Sequence, residues 1–240
     1  MNRIVINLEG FLDLELYRAI FYRIFNFSPV VKEKYDELVK RDNTFNLCGE
    51  AHSRKSIVLK KEENNLRLVL KSHNGADSMF INLKSLLTVI ERDRKKLIEA
   101  CSIEDNRNPE VIRTFIYVFD KDMEEKVMRE GIKERCQSDS LCGIHFAPYP
   151  EEVIVQLFKR KFYRGKEFSL FERCREEFEQ NFSTEERNKF NKRLSALVKS
   201  IVGPGCFREM LSSLVKEEDK DFILERIPWL NEFERTYLLS

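Results

Sequence analysis

The stretch Thr114-Phe115-Ile116-Tyr117-Val118-Phe119-Asp120-Lys121-Asp122 decides the reading of this chain. Its first six residues are β-branched or aromatic and apolar at both odd and even positions. That is the composition of a strand covered on both faces, as in an interior strand of a parallel sheet. The run stops at two aspartates separated by one lysine. While the backbone stays extended, residues i and i+2 project to the same side, so Asp120 and Asp122 can face one ligand.

Outward from this strand, the same alternation recurs. Residues 3–8 (RIVINL) are a second buried-strand run, ending at Glu9-Gly10, and Leu16, Tyr17, Ile20, Phe21 and Ile24 then follow at helical spacing with Asp13 suited to the N-cap. Residues 56–60 and 66–71 read as a hairpin around Glu62-Glu63-Asn64-Asn65. Met79, Leu83, Leu86, Leu87 and Ile90 mark a helix to about Ala100, with Asp77 or Ser78 as its cap. Met123, Val127, Met128 and Ile132 mark another, and Cys142–Ala147 is a further strand stopped by Pro148 and Pro150. Strands alternating with amphipathic helices imply βαβ units and a mostly parallel central sheet with flanking helices, an α/β class. From Glu151 onward the pattern is helical, near 151–163, 167–180, 184–201 and 205–226. The expected organisation is a core over 1–150, with an insertion or extra hairpin within 26–71, and a helical region over 151–240 packed on that core.

Composition narrows the classes. The chain has 240 residues, 42% hydrophobic and 35% charged, enough apolar content for a real core and many solvated helix faces. Its net charge of +1 gives no overall basic surface, so nucleic-acid binding would rest on a local patch. The six cysteines are scattered with no C-x-x-C pair and read as free thiols, and Cys136, Cys142 and His145 offer only three zinc ligands at unsuitable spacing. Of the other histidines, His73 follows a strand, and His145 inside a strand reads as structural. No apolar run reaches the roughly 18 residues of a membrane span, so a cytoplasmic protein with no membrane partner is expected. There is no Walker or dinucleotide glycine loop and no G-x-S-x-G, which removes support for ATPase, dehydrogenase and serine-hydrolase chemistry.

In open α/β sheets ligands sit at the carboxyl ends of the strands. Two strand ends here carry acids: Glu9 after the first, Asp120 and Asp122 after the strongest. If those strands are adjacent and parallel, three carboxylates converge in one cleft, a set of hard oxygen donors suited to Mg²⁺ or Mn²⁺. A purely structural account competes with this one: Asp122 caps the following helix, with Glu125 three residues on completing a capping-box-like pair. Spacing leaves both open.

Ile4-Val5-Ile6-Asn7-Leu8-Glu9-Gly10 with Asp13 opening the helix, and Ile116-Tyr117-Val118-Phe119-Asp120-Lys121-Asp122, together resemble the Toprim family, the catalytic domain shared by bacterial primases, topoisomerases and several nucleases. The resemblance covers about residues 1–150 and is greatest to small stand-alone Toprim proteins of archaea and bacteria. It implies that Glu9 acts as general acid or base, that Asp120 and Asp122 bind the metal, and that the substrate is a phosphodiester in DNA or RNA. The chain departs from the family pattern in two places. The motifs lie about 110 residues apart, longer than a minimal core, and Asp122 is followed by Met123-Glu124-Glu125 rather than by a further metal-binding aspartate. A nuclease is the leading expectation; topoisomerase and primase activities lack the extra domains they need. A non-catalytic binding module is the alternative. The third reading is a haloacid-dehalogenase-like phosphatase using Asp120-Lys121-Asp122. A cation-aromatic segment, Leu157 to Lys166, supplies candidate phosphate contacts in Lys159, Arg160, Lys161, Arg164 and Lys166; the competing account is a helix end whose basic residues favour the C-terminal dipole and whose aromatics are core.

Overall fold

The computed structural model describes residues 1–30, 56–102, 110–161, 211 and 214–239. They form a six-stranded mixed sheet covered by helices on both faces. The strands are β1 (Asn2–Leu8), β2 (Ser28–Pro29), β3 (Ser56–Lys61), β4 (Leu66–Ser72), β5 (Val111–Asp120) and β6 (Cys142–Ala147), in the order β2-β3-β4-β1-β5-β6. The run from β4 through β1 and β5 to β6 is parallel throughout, whereas β2 and β3 extend the sheet antiparallel. The helices are α1 (Phe11–Arg23), α2 (Ala76–Cys101), α3 (Glu124–Arg129), α4 (Ile132–Gln137), α5 (Pro150–Lys161), α6 (Lys220–Arg226) and α7 (Trp229–Phe233).

Period-2 alternation in β1 sorts the molecule into layers. Ile4, Ile6 and Leu8 face one core, shared with α1, α5 and the C-terminal segment, while Val5 faces the other, shared with α2, α3 and α4. Strand β5 divides the same way: Ile116 and Val118 join the first core, Phe115, Tyr117 and Phe119 the second. A strand buried on both faces is what its unbroken apolar run requires. It lies inside the sheet, between β1 and β6.

The hairpin read at 56–71 is present, with turn residues Glu62 to Asn65 and Asn65 at φ 49. One of its strands, β4, is a core strand paired parallel to β1; β3 and β2 are the added antiparallel edge. The rest of the 26–71 segment, positions 31–55, lies outside the described residues.

Several boundaries differ from the sequence reading. Gly10, not Asp13, is the N-cap of α1; Asp13 stands at N3, where its Oδ2 accepts the Gly10 amide at 2.9 Å. Gly75 caps α2 in place of Asp77 or Ser78, with φ 122, a conformation open to glycine alone. The helix read through Met123 to Ile132 is three short pieces, a 3₁₀ turn at Lys121–Met123 followed by α3 and α4, because Gly131 adopts φ 62 and breaks it. The helix read over 205–226 is interrupted at Val215-Lys216, and its end is a 3₁₀ turn at Glu217–Asp219 followed by α6. The helices read at 167–180 and 184–201 lie outside the described residues.

The cysteines are not all free thiols. Cys136 and Cys142 form a disulfide with Cα atoms 5.1 Å apart, joining the end of α4 to the start of β6. Cys101, at the end of α2, is disulfide-bonded too. A spacing of six residues carries no signal of pairing; the turn that folds α4 back onto β6 brings the two sulfurs together. Among the described residues, no helix is long and apolar enough to cross a membrane.

Candidate metal centre

Chain order makes the β1/β5 boundary special. From β1 the chain passes through α1 to β4 on one side, then through α2 to β5 on the other. The carboxyl ends of β1 and β5 therefore flank the point where the winding reverses, the crevice in which open α/β sheets bind ligands. Leu8 pairs in register with Val118, so Glu9 emerges level with the end of β5.

There the three carboxylates named above meet. One oxygen each from Glu9, Asp120 and Asp122 lies within 4.8 Å of the others. Glu9 and Asp120 are buried and Asp122 is exposed, so the cluster opens to solvent on one side. Glu9 Oε1 accepts the backbone amide of Asp120 at 2.9 Å, tying the two strand ends together. The donor set fits a small hard cation: three oxygens, no sulfur or nitrogen, at a spacing that bonds of about 2.1 Å can nearly span. Asp122 lies within the 3₁₀ turn and is the N-cap residue of neither that turn nor α3. The N-cap of the 3₁₀ turn is Asp120 and that of α3 is Met123, and neither makes a side-chain cap bond.

Two further carboxyl groups lie nearby. Asp13, half-buried on the first turn of α1, has its carboxyl pushed up to about 8 by burial, by Glu151 and by Glu9. It is neutral at pH 7. Glu151, on the first turn of α5, is itself buried. The sequence reading left Glu151 out, although its position just past β6 puts it at the same sheet edge. Strand-end acids beyond the D-x-D were the signal to follow.

The β4 end of the crevice is fixed by hydrogen bonds. The His73 amide donates to the Leu8 carbonyl at 3.0 Å, and the Gly75 amide donates to the Glu9 carbonyl at 2.7 Å. His73 Nε2 meets Asn7 Oδ1 at 2.8 Å, and Asn7 Nδ2 donates to the Ile116 carbonyl at 3.3 Å. Because the amide oxygen only accepts, Nε2 carries the proton. Burial, with Lys71 nearby, pushes the His73 pKa down to about 3, so the ring is neutral. Behind Asp13 and Asp120, buried Tyr17 accepts the Trp229 indole N–H at 3.1 Å, and both aspartates act with burial to raise its hydroxyl pKa. His145 stacks on Trp229 with ring centroids 5.4 Å apart, the structural role expected of a strand histidine.

The cationic segment is only partly described. Lys159, Arg160 and Lys161 end α5, and Arg164 and Lys166 lie outside the described residues. The Arg160 guanidinium sits 4.6 Å over the Phe222 ring, with Nε 4.0 Å from Asp219 Oδ1, so it is engaged with the C-terminal segment.

These features define an α/β protein with a doubly wound parallel core and an acidic cluster at its switch point. No protein-family model matches the chain, and no curated protein matches it. Among solved structures it is similar to a hypothetical protein from Pyrococcus horikoshii OT3, with a TM-score of 0.54 over 98% of this chain and 99% of that one. The two sequences are 14% identical, so the likeness is one of fold.

Proposed function

We propose that the chain is a Toprim-like, Mg²⁺- or Mn²⁺-dependent protein acting on nucleic-acid phosphodiesters, as a nuclease. The observation that carries this reading is the convergence of Glu9, Asp120 and Asp122 to within 4.8 Å at the β1/β5 crevice. A capping role predicts no such meeting, since these residues come from two strands 111 positions apart in sequence.

Asp120 and Asp122 would hold the ion, with Glu9 beside them. When bound, such a cation supplies charge neutralisation and Lewis acidity at a phosphate oxygen. The rest is the work of the chain. Glu9 Oε1 is fixed by the Asp120 amide, which orients the side chain toward the aspartates for proton transfer to or from the reacting oxygen. Asp13, protonated at neutral pH, keeps one acidic proton at the same sheet edge. The parallel pairing of β1 and β5 sets the separation of Glu9 and Asp120, a preorganised pair at the crevice.

Two measurements test the proposal. Calorimetric titration with Mn²⁺ should show one saturable site in the wild type that Asp120→Asn removes without shifting the melting temperature. Single- and double-stranded DNA and RNA oligonucleotides should be cut in Mg²⁺ or Mn²⁺ by the wild type and not by Glu9→Gln. Wild-type protein that neither binds Mn²⁺ nor cuts any of the four substrates would end the nuclease reading.

A further inference from the structure

Large apolar side chains that stay in water are scattered over the described residues: Phe11, Tyr22, Ile81, Val111, Met128 and Leu239. Singly they need no explanation. Phe11 differs by its place. It is the first residue of α1, 51% exposed, and only Gly10 separates it from Glu9. Two peptide units put its Cα no more than about 7.6 Å from that of Glu9, which places the residue at the mouth of the acidic crevice. Tyr22, the other exposed aromatic among the described residues, is at the opposite end of the same helix, about 16 Å away at 1.5 Å per residue. The mouth also carries a cation: Lys121 is exposed and sits between Asp120 and Asp122.

We infer that Phe11 is a stacking platform for an unpaired nucleobase, and that the site takes single-stranded nucleic acid. This rests on the reading of the crevice as a phosphodiester site. A phenyl ring offers a rigid face at low conformational cost, and every base has a face to lay on it, so such contacts are strong and tolerant of sequence. In a duplex those faces are already stacked, and reaching them costs unpairing. A ring two residues from Glu9 therefore holds a base next to the phosphate at the acids, while Lys121 meets a neighbouring phosphate. The charge balance agrees. One divalent ion does not outweigh three carboxylates, so even the loaded crevice has no excess positive charge for a polyanion, and a non-ionic contact such as stacking adds what Lys121 alone does not supply.

The test uses full-length protein at one fixed salt concentration, with Ca²⁺ in place of Mg²⁺ to hold back cleavage. Anisotropy of a labelled single-stranded oligonucleotide and of its duplex gives the affinities. Phe11→Ala should weaken single-strand binding about tenfold and leave duplex binding unchanged, in keeping with the loss of one stacked base. Phe11→Trp should keep the affinity and quench 2-aminopurine placed in the strand, with melting temperatures equal for all three proteins. Three results would overturn the inference: single-strand binding untouched by Phe11→Ala, wild-type protein that prefers duplex, or wild-type protein that binds no single strand. The companion reading fails separately. Phe11-dependent single-strand binding without any Mg²⁺ or Mn²⁺ cleavage sustains the stacking platform and removes the nuclease; cleavage with Phe11-independent binding does the reverse.

Discussion

At the scale of single residues, Asp122 separates a metal ligand from a cap. It is exposed, lies within the Lys121–Met123 turn, and is the N-cap of neither following helix. Asp122→Asn is nearly isosteric and should cost less than about 0.5 kcal/mol of stability, as surface changes away from special features do. It removes an anionic donor, and Mg²⁺-dependent cleavage should fall by at least roughly tenfold to a hundredfold, the loss seen when even outer partners of a metal are changed. Unchanged cleavage rates would show that Asp122 holds no ion. Asp13 gives an independent electrostatic prediction. Its folded-state pKa of about 8 lies above the ordinary 3.8, so the folded protein keeps a proton that the unfolded chain releases. The associated stability is fully present below about pH 3.8 and is lost as pH rises toward 8. Asp13→Asn does not titrate, and its amide oxygen can still accept the Gly10 N–H. In urea melts without divalent cations, the wild type should therefore lose more stability between pH 5 and pH 8 than the variant. Parallel profiles would contradict the buried-carboxyl account.

At the scale of elements, the two signals that mattered most were legible for physical reasons. The Thr114–Phe119 run reads as a two-faced strand because a parallel interior strand has no solvated side. Glu9 and Asp120-Lys121-Asp122 stand out because charge directly after such a run marks the carboxyl edge. The breaks were less legible. Gly131 ends a helix by taking φ 62 inside a segment whose apolar spacing continues through Ile132, and periodicity is blind to a single backbone dihedral. Nor does Asp77 show that Gly75 is the cap, since a glycine before a helix looks like any turn. Gly75 yields a test: its φ of 122 and ψ of 162 are strained for any L side chain, and its amide holds the Glu9 carbonyl at 2.7 Å. Gly75→Ala should cost about 1–3 kcal/mol, and the start of α2 should shift against Glu9, lowering Mn²⁺ affinity as well. A variant as stable as the wild type would mean that the α2 start relaxes freely. The Cys136–Cys142 disulfide makes a second element-scale prediction. Closing so short a loop is worth about 2 kcal/mol on chain-entropy grounds, so without reductant the wild type should melt above Cys136→Ser/Cys142→Ser protein, and in reductant, which opens the Cys101 bond in both, that gap should close.

At the scale of the whole molecule, the C-terminal segment is part of the core that carries the crevice. Ile223, Leu224, Ile227, Trp229, Leu230 and Phe233 are all buried in the cluster that includes Ile4, Ile6 and Leu8 of β1 and Leu16, Ile20 and Phe21 of α1. Phe233 meets Phe21 edge-on at 5.2 Å, and Trp229 reaches Tyr17 through its indole N–H, so the helix that carries Asp13 is backed by residues more than 200 positions away in sequence. The apolar spacing of this segment was readable as helix, but which sheet face it covers was not, because periodicity defines a stripe and not its partner. Deleting residues 217–240 tests how far the two regions depend on each other. Full burial of one large apolar side chain is worth about 1.5–3 kcal/mol, so removing the six named above forfeits on the order of 9–18 kcal/mol. That is comparable with or larger than the whole stability of a typical domain, about 5–15 kcal/mol. It also uncovers the apolar face of α1 and one face of the sheet. The truncated chain should therefore aggregate or lack a cooperative thermal transition and should bind no Mn²⁺, even though Glu9, Asp120 and Asp122 are all retained. A truncated protein that melts cooperatively and still binds Mn²⁺ would show that the α/β core stands alone and that the C-terminal helices only decorate it.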